Sequence, residues 1–74
     1  MSSARQAFAA RLRARRIEQG FGEAKTFSDA LNVNSGTYNR WERGETEPNL
    51  DTILRICVLL ETDPNFLLAG KVKT

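Results

Sequence analysis

A chain of 74 residues suffices for one domain with one core and leaves no room for a second. With 41% apolar and 27% charged residues it reads as an ordinary folded globule, and its apolar runs at 56–60 and 66–69 fall far short of the roughly 20 residues that span a bilayer. A net charge of +2, from eleven Lys and Arg against nine Asp and Glu, argues only weakly for a polyanionic partner, so any cationic surface must come from the distribution of charge.

One domain is expected over 1–74, with its core at about 5–70 and a tail at 71–74. The fold class expected is all-α: a compact five-helix domain with no strand, no internal repeat and no linker-like tract. Helix 1 is predicted from about Ala4 to Gln19, with Phe8 and Leu12 one turn apart, Ile17 on the inner side and Gly20 as the stop. Arg11, Arg13 and Arg15 read as its solvated face. Helix 2 is predicted to start near Ala24 and to bury Phe27 and Leu31. Asn32 then suits a turn, because Asn tolerates the left-handed conformation, and Val33 anchors it.

Helix 3 is predicted to open at Asn34, whose side-chain oxygen can accept from a free backbone N–H two or three residues on, and to end at Gly44. At about 100° per residue, Tyr38 and Trp41 point one way, while Ser35 with Asn39, and Gly36 with Arg40 and Arg43, form two ridges on the other. Helix 4 is predicted after Asn49, with Leu50, Ile53, Leu54, Cys57 and Leu60 as its apolar stripe. Helix 5 begins at Asp63-Pro64, a cap followed by proline at the first helical position, and carries Phe66, Leu67 and Leu68.

Helices 2 and 3, joined by a short turn, form the unit with which proteins lay a helix in a DNA groove. The groove is about 12 Å wide and its base edges display distinct donor and acceptor patterns. Arg40 is the leading base-reading candidate, since a guanidinium donates two parallel bonds to guanine; such a pair discriminates by roughly 1–3 kcal/mol. Ser35, Thr37 and Asn39 offer hydroxyl and amide groups, and Gly36 lets the backbone come close. Lys25, Asn34 and Arg43 are the candidates for phosphate contact. Six of the eleven cations lie before helix 3, and acids gather after it at Glu42, Glu45, Glu47 and Asp51.

In their order and spacing, Arg16, Phe27-Ser28, Leu31-Asn32-Val33, Thr37 to Gly44, Pro48 and Asp63 to Leu68 resemble the lambdoid phage repressor and Cro-like helix-turn-helix proteins, the XRE or Cro/CI family. The resemblance covers roughly Phe8 to Gly70. It implies base reading at Ser35, Gly36 and Arg40, with Asn34, Thr37 and Asn39 beside them, and a structural ion pair between Arg16 and Glu42. The chain departs from the family at Ala24, where a glutamine is common, and at Glu45-Thr46-Glu47, a loop that is often basic.

The function expected is a sequence-specific DNA-binding transcriptional regulator, a repressor that binds a palindromic operator in double-stranded DNA as a homodimer. Leu59, Phe66 and Leu67 are candidates for the interface. The alternative keeps the fold for protein contact, as in an antitoxin or adaptor, a reading favoured by the acidic loop and low net charge. No enzyme is expected, since no histidine and only scattered carboxylates are present. A single cysteine, Cys57, and the lack of histidine give no reason to expect a metal or other cofactor. The start, MSSARQAFAARLRARR, has no apolar h-region followed by a cleavage site, so no membrane association and a cytoplasmic location are expected.

Overall fold

The computed structural model describes residues 3–70, which form five helices in the order α1 (Ala4–Glu18), α2 (Ala24–Leu31), α3 (Ser35–Glu42), α4 (Leu50–Leu59) and α5 (Pro64–Ala69), with no strand among the described residues. The tail expected at 71–74 lies outside them.

Each helix start but one is fixed by a side chain taking up a backbone N–H that the helix itself cannot satisfy. Ser3 and Gln6 form a reciprocal capping box on α1. Asn34 caps α3, Asn49 caps α4 and Asp63 caps α5 with Pro64 at the first position. Only α2 begins without a side-chain cap, at Glu23. Asn32 takes the left-handed conformation at the end of α2 (φ 60°), which turns the chain so that the Val33 N–H donates to the Ser28 carbonyl at 2.9 Å.

The core is built where these helices meet, with α1 packed on α3 and α5, α2 on α3, and α4 on α5. It holds Phe8, Leu12, Phe27, Leu31, Tyr38, Trp41, Ile53, Ile56, Cys57, Leu60 and Leu67. Fully burying a side chain such as Phe27, Leu31 or Leu67 contributes about 1.5–3 kcal/mol. Phe21, Phe27, Tyr38 and Trp41 form a chain of edge-to-face rings with centroids 5.0, 5.5 and 5.8 Å apart, locking α2 against α3. Ser28, buried in this junction, donates to the Lys25 carbonyl at 2.9 Å and so costs no unpaired polar group. Burial pushes the Cys57 thiol above its usual pKa, with the negative Asp63 adding to the effect, so it stays a neutral core thiol.

Four expectations need correction. Ile17 is half exposed, because the inner row of α1 continues Phe8, Leu12, Arg16 and the third place goes to an arginine. The buried stripe of α4 is Ile53, Ile56, Cys57 and Leu60, the side turned to the core where α4 packs on α5; Leu50 and Leu54 face outward. Arg11 and Arg15 are not a solvated face. The Arg11 guanidinium donates to the Leu67 and Leu68 carbonyls at 2.9 and 3.0 Å, and that of Arg15 to the Leu60 and Glu61 carbonyls at 3.0 and 2.9 Å. They cap the C-terminal ends of α5 and α4, where free carbonyls and the helix dipole favour cations. Finally, Leu67 has no exposed surface and sits in the core, so it cannot serve as a dimer contact.

Candidate nucleic-acid interface

Helix α3 is a short rod fixed by its inner residues. Tyr38 is fully buried and Trp41 nearly so, and this orientation turns the opposite side of the helix to solvent. On that side Gly36, Asn39, Arg40 and Arg43 are exposed, while Ser35 and Thr37 are half-buried. The six groups present hydroxyls, an amide, two guanidiniums and a bare stretch of backbone.

The Asn34 side-chain oxygen accepts from Gly36 N at 2.8 Å and Thr37 N at 3.2 Å. That carbonyl is therefore occupied by capping, and only its amide N–H groups remain free to donate. A Cβ at Gly36 would come within 3.0 Å of the same oxygen. Glycine thus keeps the cap intact and leaves the backbone bare on the exposed side of the helix.

Below this face, α1 is clamped to α3 by a buried ion pair. Arg16 Nε and Nη2 donate to the two Glu42 oxygens at 2.6 and 3.1 Å, and Nη1 donates to the Phe21 carbonyl at 2.7 Å. The Tyr38 hydroxyl also donates to Glu42. The hydrogen bond with Glu42 outweighs desolvation and holds the Arg16 guanidinium above its already high pKa. Burial, then the hydrogen bond to Glu42, pushes the Tyr38 phenol far above its usual range, so it remains a neutral donor. The network fixes the roll of α3 relative to α1, and with it which side chains face outward.

The remaining cations differ in how free they are. Lys25 lies 3.3 Å from Asp29 one turn along α2. Arg43 pairs with Glu45 at 2.8 Å, both groups being more than half exposed. Arg5 pairs with Glu47 at 2.6 Å and donates to the Glu45 carbonyl at 3.3 Å, so both acids of the 45–47 loop are bound to arginines. The loop is held against α1 at Gly44, which has φ +75° and where a Cβ would meet Gln6 Cγ at 3.0 Å. Arg40 makes no ion pair or side-chain hydrogen bond among the described residues. The pairing of Arg43 with Glu45 follows from their adjacency after α3; the carbonyl-capping roles of Arg11 and Arg15 left no local signal in the sequence.

Residues 12–67 match the family model described as helix-turn-helix. The chain belongs to the helix-turn-helix family. The match spans the buried pair, the turn and all of α3, and the resemblance to Cro/CI-type proteins read from the sequence holds. The chain is also similar to the repressor protein C2 of Salmonella phage P22, with 35% identity over 60 residues covering 81% of this chain and 27% of that protein. It therefore spans about a quarter of that relative's length. No solved structure matches. No helix among the described residues is long and apolar enough to cross a membrane.

Proposed function

We propose that this chain is a sequence-specific DNA-binding transcriptional regulator, a repressor that holds a palindromic operator as a homodimer. The observation that carries this is the outer face of α3, where Gly36, Asn39 and the unpaired Arg40 are exposed directly opposite the buried Tyr38 and Trp41. Arg40 and Asn39 supply the bidentate geometry suited to guanine and adenine, and Ser35, Gly36 and Thr37 complete the base-reading surface. Lys25, Arg43 and the Asn34 amide bind flanking phosphates. The similarity to a phage repressor supports repression as the outcome.

For the dimer, support comes from α4, whose outer face carries Leu54, Val58 and Leu59 exposed beside Asp51 and Arg55. Two copies meeting there across a two-fold axis would cover this apolar patch, with Asp51 at its edge and Arg55 already donating to the Leu31 carbonyl of its own chain; the half-buried Phe66 belongs to α5, which packs on α4. Two recognition helices would then lie about 34 Å apart, one turn of DNA.

A second reading, a protein-interaction module such as an antitoxin or adaptor, is favoured by the neutralisation of Lys25, Arg43 and Arg5 by neighbouring acids. Selecting bound duplexes from a random pool at two salt concentrations decides between them. A motif with partial two-fold symmetry is expected; no enrichment above non-specific binding would overturn the DNA reading in favour of the second.

A further inference from the structure

Beside the outward side of α3, α1 and α3 border an open cleft of about 330 Å³ lined by Arg13, Arg16, Asn39, Glu42 and Arg43. Three guanidinium groups face one carboxylate there. The floor is electrically balanced: the buried Glu42 carboxylate is neutralised by Arg16, which also donates to the Phe21 carbonyl, so the pair adds no net charge to the cleft. The walls are different. Arg13 stands one turn before Arg16 on α1, is exposed, and makes no hydrogen bond or ion pair among the described residues. Its neighbours Arg11 and Arg15 are both committed to helix ends, which leaves Arg13 as the free guanidinium of the run. Across the cleft stand Asn39 and Arg43, one turn apart on the outward side of α3, both exposed. Arg43 is tied only to Glu45, in an exposed pair of the kind that contributes little and exchanges readily.

We infer that this cleft takes a phosphodiester of the DNA backbone, and that Arg13, on α1, is a phosphate-positioning residue that grips the groove wall while α3 enters the groove. The inference rests on the DNA-binding reading and adds to it a contact from outside the helix-turn-helix unit. An anion suits the cleft because Arg13 and Arg43 both line it, Arg13 without a partner among the described residues and Arg43 held only by the exposed Glu45. Backbone rather than base is the ligand because the cleft lies at the flank of α3, between helices, and not on the crest that carries Arg40. A contact of this kind orients the domain on the duplex without choosing sequence.

The test is the salt dependence of binding to the selected duplex, read as the slope of log affinity against log salt. Each phosphate neutralised contributes about 0.9 to that slope. Arg13→Ala is expected to make the slope shallower by about 0.9, so that affinity falls about 3- to 4-fold less than for wild type between about 50 and 200 mM salt, with the selected motif unchanged. Arg13→Lys should keep the wild-type slope. The double variant Arg13→Ala with Ala14→Arg keeps the net charge but moves the cation about 100° round α1, away from the cleft, and should retain the shallow slope. A wild-type slope for Arg13→Ala, or its recovery in the double variant, would overturn the inference while leaving DNA binding intact. Failure of the wild-type chain to bind any duplex would instead remove the reading on which it stands.

Discussion

Glu42→Gln tests whether the outward face of α3 is set by the buried pair beneath it. Arg16 is 4% exposed and meets both oxygens of Glu42, and the Tyr38 hydroxyl shares the same carboxylate. Replacing the carboxylate by an amide leaves a buried guanidinium without a counter-charge, a change that costs about 3–5 kcal/mol. A folded unit of this length is stabilised by roughly 4–11 kcal/mol in total. The substitution therefore removes a large part of the stability, equivalent to a fall in Tm of at least about 12 °C. Urea titration followed by fluorescence of Trp41, the only tryptophan, measures it directly. The companion variants Arg16→Met and Glu42→Met should each cost a similar amount by stranding the other charge, and the double variant Arg16→Met with Glu42→Met should lose at least about 2 kcal/mol less than the sum of those two singles, because no unpaired charge remains. A loss below about 1 kcal/mol for Glu42→Gln, the value of a surface pair, or strict additivity in the cycle, would refute the clamp.

Glu45→Gln should release Arg43 and tighten binding to all duplexes a few-fold at low salt with no change of motif; unaltered affinity in fluorescence anisotropy would remove Arg43 from the phosphate contacts. The raised Tyr38 pKa makes a pH prediction: since the folded value lies above the unfolded value of 10.0, the proton is held more tightly in the folded state, and its stabilising effect is complete below about pH 10 and lost as pH rises beyond it. Denaturation midpoints should therefore be insensitive to Tyr38→Phe in their pH trend below pH 10, while above it wild type should lose up to about 1.4 kcal/mol per pH unit and the variant less; parallel declines would contradict this. Val58→Glu, at a position 76% exposed, should leave the fold intact and shift sedimentation toward monomer, and a wild-type profile would argue against α4 as the dimer face.

The parts legible in the sequence are those written locally. Asn34, Asn49 and Asp63 mark helix starts because a cap needs only its own side chain and the next two or three amides, and Asn32 marks a turn for an equally local reason. Tyr38 and Trp41 gave the inner side of α3, and the outer side followed by rotation. The stripe of α4 is not legible in the sequence because Leu50, Ile53, Leu54, Ile56, Cys57, Val58, Leu59 and Leu60 are apolar nearly all round, so periodicity leaves its phase open and tertiary packing chooses it. Arg16 holds a core position that an apolar residue would usually fill, which made Ile17 look like the inner residue. Arg11 and Arg15 find their carbonyl partners 45–57 residues away, a distance over which a single sequence carries no pairing signal.

On the proposed function, the outward side of α3 reads bases, with Arg40 as its main specificity determinant. Duplex selection carried out in parallel on wild type and Arg40→Ala tests it most directly. One or two positions of each half-site should lose their preference in the variant, equivalent to about 1–3 kcal/mol of lost discrimination, while the rest of the motif persists. An identical motif for the two proteins would contradict the assignment.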